Sequence, residues 1–348
     1  MATKLCVTFT FVLAVLLPAS LKSSCGSSEL DAHKIKYAID PLFKPDLLIK
    51  QQLPEDLALL GQIRKLFFEA DGTANPKRDV YRSAVREHGG QEIVLLTHDD
   101  MRISALYFKR DGAPVNIIYV TGYFNDLTPT KEWSAPFALL FSEYNVLSFD
   151  WRGFGNSEGV HGMFCQNSFG KNAYPDIQAA VDFMHKENDK PVVLVGFCFG
   201  AAMAMHATVQ ATKEHKRTAD ALVLNCLFTK FQNQFNRAVD DEDRCLYKII
   251  LASGLGQEML EFIANGSLFE VNPIDLIKEI KIPCYFEHYS DDPFSPLSEG
   301  VEVYNAAICP KIFMQSDQGR HARIHSKVPY QYRQGFIDFL HRFGFVPK

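Results

Sequence analysis

The stretch VVLVGFCFGAAMAMHA, residues 192–207, decides the fold. It opens as a run of β-branched and aliphatic residues with no polar alternation, the pattern of a strand covered on both faces. Within five positions it becomes a small-residue helical pattern. Between the two, Gly196-Phe197-Cys198-Phe199-Gly200 places a cysteine in a bend where glycines on either side admit a close strand-to-helix approach and the middle side chain is thrust out over the sheet edge. A cysteine there faces a helix N-terminus, whose partial positive charge favours thiolate over thiol. The position suits a reactive sulfur.

Outward from this point the chain alternates. Upstream, EIVLLTHDD (92–100) and MRISALYFKR (101–110) read as two antiparallel strands joined by an Asp-Asp turn, and VNIIYVTG (115–122) follows as a third. Then come helix KEWSAPFALLFSEY (131–144), strand NVLSFDWR (145–152) and helix DIQAAVDFMHKEN (176–188) on the near side of the bend. Beyond it, helix AAMAMHATVQATKEH (201–215) leads to strand ADALVLNC (219–226). After a lapse the pattern resumes with PIDLIKEI (273–280), strand KIPCYFEHY (281–289), a helix from about Leu297, strand KIFMQSD (311–317) and helix PYQYRQGFIDFLHRF (329–343). Strands separated by helices predict an α/β fold: an eight-stranded, mostly parallel sheet with helices on both faces. The lapse, residues 228–270, carries amphipathic stretches such as DRCLYKIILASGL and reads as an inserted helical cap.

The N-terminal residues organise differently. MATKLCVTFTFVLAVLLPASLKSSCGSS sets one early lysine before an apolar stretch and then small polar residues, the order of a secretory signal peptide. Residues 1–26 are read as that leader, cleaved between about Ala19 and Gly26, which predicts export, secreted or periplasmic, and no integral membrane span afterwards. Residues 27–90 read as a helical extension, with Leu57, Leu60, Ile63, Leu66 and Phe67 on one face behind Pro54. The main domain is 91–348.

Composition narrows the function. With 47% hydrophobic and 22% charged residues the chain buries an ordinary core, and a formal charge of −5 offers no basic excess for phosphates. Nucleic acid is excluded as an expected partner. The eight cysteines, at 6, 25, 165, 198, 226, 245, 284 and 309, show no CxxC spacing, so neither zinc nor any other metal or cofactor is indicated. With the leader removed and Cys198 kept as a thiol, the other five allow at most two disulfides within the chain. Asn265-Gly266-Ser267 fits a glycosylation sequon for a eukaryotic secretory route.

The Gly-x-Cys-x-Gly bend, FDWRGFGNSEG (149–159), TGYFND (121–126) and NPIDLIKEIKIPCYFEHYSDDPFSP (272–296) together resemble the α/β-hydrolase superfamily over roughly residues 91 to 348. FDWRGFGNSEG is similar to that family's D-x-R-G-x-G-x-S loop, and TGYFND occupies the place of its HG loop, with Thr121 in place of histidine. A cysteine in the elbow resembles the dienelactone-hydrolase variant. The Arg-Gly loop and entry strands look more like Bem46-type and serine-aminopeptidase-type members.

The resemblance implies a triad in the order nucleophile, acid, histidine. Cys198 is the implied nucleophile. The family sets a proline four residues after the acid, and Pro296 therefore selects Asp292 over Asp291. For the base, SDQGRHARIHS (316–326) offers His321, directly after Gly319-Arg320, with His325 as the alternative; the Arg320 cation would lower the imidazole pKa unless a carboxylate compensates. Backbone N–H groups of Phe199 and Tyr123, or Phe124 in its stead, are the implied oxyanion donors. His206 and His161 read as packing or surface residues. The expected activity is hydrolysis of a small-molecule carboxylic ester, lactone or thioester through a covalent acyl-enzyme, with acyl transfer from the same cysteine or a noncatalytic binding role as alternatives.

Overall fold

The computed structural model describes residues 85, 89–122, 134–159, 170–240, 270–317, 321 and 329–347. The leader, all but the end of the N-terminal extension, Tyr123, Phe124, His161, Arg320, His325, the sequon and the larger part of the cap lie outside them.

All eight expected strands are present: β1 (Gly90–Leu96), β2 (Arg102–Phe108), β3 (Asn116–Val120), β4 (Asn145–Phe149), β5 (Val192–Phe197), β6 (Ala221–Asn225), β7 (Cys284–Tyr289) and β8 (Lys311–Ser316). They form one sheet in the order β1-β2-β4-β3-β5-β6-β7-β8. β2 runs antiparallel to both its neighbours, and every other pairing is parallel. β7 starts at Cys284 rather than Lys281 because Pro283 has no N–H for a ladder; its carbonyl still accepts from the Leu222 amide at 3.0 Å.

The helices are α1 (Ala135–Leu140), α2 (Tyr174–Glu187), α3 (Phe199–Lys213), α4 (Phe231–Asp240), α5 (Pro273–Leu276), α6 (Leu297–Ala306) and α7 (Pro329–Arg342), with a 3-10 turn over Gly170–Ala173. Alternate residues of β5 face opposite layers. Val192 and Leu194 join Ile177 of α2, Met203 of α3 and Val303 of α6, while Val193, Val195 and Phe197 join Phe137 of α1 and Phe336 of α7. Both faces are therefore covered, and the unalternating strand sequences are what such double coverage requires.

The loop after β4 is a polar knot. Ser157 donates its hydroxyl to the Asp150 carbonyl at 2.6 Å and accepts from the Ser104 amide of β2 at 2.9 Å. Gly159, at φ 131°, lies so close to Gly153 that a Cβ would sit 2.6 Å from its nitrogen. Arg152, nearly sealed from solvent, donates to Asp176 of α2 from Nε at 2.7 Å and from its backbone N–H at 2.9 Å, and to Asp99 from Nη1 at 2.7 Å. Burial pushes the Asp176 carboxyl up, to about 6 even beside the Arg152 cation. At Asp99 burial acts in the same sense but is outweighed by the hydrogen bonds from Arg152 and Thr97, which bring it to about 2. The loop thereby ties β2, β4 and α2 together.

One buried acid lies inside the sheet. Glu287 of β7 stands in register between Asn225 and Met314, and neither carboxyl oxygen has a hydrogen-bond partner among the described residues. Burial holds its pKa well above the ordinary carboxylate range, so it rests protonated. Between the ordinary value and the raised one, the folded chain keeps a proton that the unfolded chain releases, so stability falls as pH rises through that window. Glu287→Gln is expected to raise the melting temperature more at pH 8 than at pH 5, and a gain equal at both would show that Glu287 is not the group responsible.

Candidate active site

The bend after β5 has the geometry its glycines anticipate. A Cβ on Gly196 would stand 2.5 Å from the Ala201 Cα, and one on Gly200 would strike the carbonyls of Val120 and Thr121 at the end of β3. Cys198 sits at φ 52° and ψ −116°, a conformation that costs an L-residue about 1–3 kcal/mol. Neighbouring hydrogen bonds hold it there. Its N–H donates to the Asn225 carbonyl at 2.8 Å, and its carbonyl accepts from the amides of Ala201 and Ala202 at 3.0 and 3.2 Å. The Asn225 side chain donates to the Gly196 carbonyl at 2.9 Å, fastening the elbow to β6.

Asp292 follows β7 in a turn that uses its carboxylate as an internal acceptor: Oδ1 takes the amides of Phe294 and Ser295 at 2.9 and 2.8 Å. Asp291 points outward and is exposed. The His321 Nδ1–H donates to Asp292 at 2.8 Å to Oδ2 and 2.9 Å to Oδ1, and the ring also shares a hydrogen bond with the Cys198 side chain. With Nδ1 committed to Asp292, Nε2 is the ring nitrogen left for the sulfur. Cys198, Asp292 and His321, chosen from distant parts of the sequence, thus stand in one line of hydrogen bonds.

The electrostatics follow from that line. Burial disfavours charge on His321, but its interactions with the Cys198 sulfur and the Asp292 carboxylate overcome it and raise the ring to about 10. Burial also opposes charge on Asp292, and the His321 hydrogen bond and cation reverse that, leaving its pKa below the ordinary value. The compensating carboxylate that a cation at Arg320 would demand is therefore in place. Arg320 itself lies outside the described residues.

Several supporting groups escape a reading of the sequence. His288, buried in β7 and kept neutral mainly by that burial, donates from Nε2 to the Ser295 carbonyl at 2.6 Å and so braces the acid loop. Arg237 of α4 donates to the Phe294 carbonyl at 2.8 Å and pairs with Glu299 of α6 at 2.6 Å, while Gln234 donates to the Ser295 hydroxyl. α4 is thereby locked onto the loop that carries Asp292. Phe294, half exposed, packs its ring 5.2 Å from that of His321. None of these has a motif; each depends on where β7, its following loop, α4 and α6 meet.

Of the implied oxyanion donors, Phe199 supplies the first amide of α3, next to Cys198, while its ring packs between Trp151 at 6.2 Å and Phe231 at 6.0 Å. The ring is core. Tyr123 falls outside the described residues. His206 packs edge-on against Tyr174 at 6.2 Å, as its helix position suggests. Beside the line of three lies Cys226, which with Asp292 and His321 offers ligating atoms within 4.8 Å of one another.

A strained elbow after the fifth strand, an acid after the seventh and a histidine after the eighth form the arrangement on which acyl-transfer hydrolases are built. The model of the Alpha/beta hydrolase family matches residues 118–298. The chain belongs to that family. Curated relatives include the uncharacterized protein YqkD of Bacillus subtilis, 26% identical over 57% of this chain and 62% of its own length. Another is the lysophosphatidylserine lipase ABHD12 of Xenopus tropicalis, 27% identical over 47% of this chain and 39% of the lipase. The chain spans less than two thirds of the length of these relatives. Among solved structures, the Pyrococcus furiosus esterase Pf2001 superposes with a TM-score of 0.56 at 20% identity, covering 78% of this chain and 95% of the esterase. DcsB, solved with a substrate analogue, superposes at 0.56 and 18% identity over 73% of this chain and 99% of its own. At such identities the likeness is one of fold, and this member of the family carries cysteine at the elbow position where the fold presents a nucleophile.

Proposed function

We propose that this hydrolase cleaves a carboxylic ester, lactone or thioester through Cys198, His321 and Asp292, with the acyl group held as a thioester on Cys198. The observation that carries the proposal is the imidazole bonded on one side to the Cys198 sulfur and on the other to Asp292. His321 takes the proton of the Cys198 thiol. Attack of the thiolate on the carbonyl carbon forms the S–C bond, and the developing oxyanion is met by the Phe199 amide at the positive end of α3. His321 then gives its proton to the leaving oxygen or sulfur as the C–O or C–S bond breaks. Acylation removes the sulfur interaction that held the ring's pKa up. The neutral imidazole is then a base able to take a proton from water, whose attack on the thioester releases the acid and restores Cys198.

The leader read at residues 1–26 supports an exported site of action, and the names of the lipase relatives argue for including a lysophosphatidylserine in the substrate panel. The test is turnover of alkyl esters, aryl esters, thioesters and that lipid, followed against pH. An alkyl ester needs the His321 proton for its leaving group and a nitrophenyl ester does not. kcat/KM for the alkyl ester is expected to fall above about pH 10 as the imidazolium is lost, while the nitrophenyl ester shows no such fall. Loss of alkyl-ester activity setting in at neutral pH instead would mean that the ring rests uncharged, and turnover of no panel member would remove the hydrolytic reading.

A further inference from the structure

The nucleophile has a second thiol as its neighbour. β5 and β6 pair in parallel with Phe197 opposite Asn225, so the next rung sets Cys198 beside Cys226, and the Cys198 N–H already donates to the Asn225 carbonyl at 2.8 Å. Adjacent strands lie about 4.8 Å apart, inside the roughly 4.4–6.8 Å between Cα atoms that a disulfide spans. The two cysteines also leave their strands in the same way, at φ 52° and 53°. Both sulfurs lie near the His321 ring. Cys198 is hydrogen-bonded to His321, and the Cys226 sulfur lies within 4.8 Å of ligating atoms of His321 and Asp292. Exposure separates them, since Cys198 reaches solvent in part and Cys226 is wholly buried.

We propose that Cys226 is a resolving thiol, which closes a reversible disulfide onto Cys198 when a peroxide oxidises the nucleophile. The proposal rests on Cys198 being the reactive sulfur proposed above. Its sulfur attacks one oxygen of hydrogen peroxide, an S–O bond forms as the O–O bond breaks, and the departing hydroxide takes the His321 proton to leave as water. Sulfur is oxidised by two electrons and peroxide is reduced. The neutral ring then accepts the Cys226 proton, the new thiolate attacks the sulfenic sulfur, the S–S bond forms, and the S–O bond breaks with release of a second water. The enzyme is locked without hydrolytic power, yet its sulfur is kept from the irreversible sulfinic state. Thiol reductants restore it.

The full chain is treated with hydrogen peroxide, its remaining thiols are alkylated, and it is mapped by peptide mass beside Cys226→Ala. The parent is expected to lose about 2 Da and to yield a cross-linked peptide joining residues 198 and 226, with ester hydrolysis lost and regained on adding dithiothreitol. Cys226→Ala is expected to give a dimedone-reactive sulfenic acid that proceeds to sulfinic acid, with no recovery. Sulfinic acid at Cys198 of the parent without the cross-link, or a link from Cys198 to another cysteine, would overturn the proposal, and this reading stands on the parent chain even if the variant does not fold. The cross-link is scored by mass alone. Its presence in a chain that turns over no ester would keep the latch and reject the hydrolase, whereas hydrolysis through Cys198 without the cross-link would reject the latch alone.

Discussion

Cys198→Ala is expected to lower kcat/KM toward an activated ester by on the order of 10⁴-fold or more while leaving the melting temperature close to that of the parent. The size follows from what is removed. Without sulfur there is no covalent intermediate, and the remaining groups supply only the residual acceleration that positioning and oxyanion binding give. Alanine at φ 52° carries the same backbone strain as cysteine, so the elbow keeps its shape and the loss reads on chemistry. His321→Ala is expected to fall by a comparable factor, because the two act as a unit, and the double replacement should cost little more than either alone. A double variant whose losses multiplied would show that sulfur and imidazole act separately.

The second large effect is on stability. Arg152→Met is expected to cost about 3–5 kcal/mol in denaturant unfolding, because it leaves Asp176 as a buried carboxylate with no cation beside it. Arg152 and Asp176 side chains are 4% and 0% exposed, so water cannot replace the lost partner. The pH dependence has a definite sign. Burial already raises the Asp176 carboxyl to about 6, and without Arg152 it rises further, so folded chains retain a proton that unfolded chains shed above about pH 4. The deficit therefore grows from acid toward neutral pH. Replacing Asp176 by leucine in the same chain should restore much of the stability, since an apolar pair needs no compensating charge. No recovery would mean that the hydrogen bond from the Arg152 amide to Asp176, rather than charge, carries the loop.

What could be read in advance divides along physical lines. The sheet was legible because strands buried on both faces cannot alternate, so β3 to β7 announce themselves as apolar runs between amphipathic helices. The elbow was legible because its shape forbids a Cβ at residues 196 and 200, a demand that local sequence must meet. Asp292 could be preferred to Asp291 from the spacing to Pro296, and the turn shows why one serves: its carboxylate accepts two amides of its own loop and still faces the ring. Cys226 was not legible, because the rung it shares with Cys198 is set by strand register, which is a tertiary property. The pairing of Arg152 with Asp99 and Asp176 and the brace from His288 to Ser295 were hidden for the same reason. FDWRGFGNSEG marked a loop by its glycines, while the partners of its arginine lie on other elements.

The central claim is that the Cys198 sulfur becomes acylated with help from His321. Brief exposure of the intact chain to a slowly deacylating activated ester, followed by mass measurement and peptide mapping, tests it most directly. The prediction is one added acyl group, located on Cys198, formed far more slowly in His321→Ala and absent from Cys198→Ala. An acyl group that settles on another residue, or that forms at the same rate without His321, would contradict it.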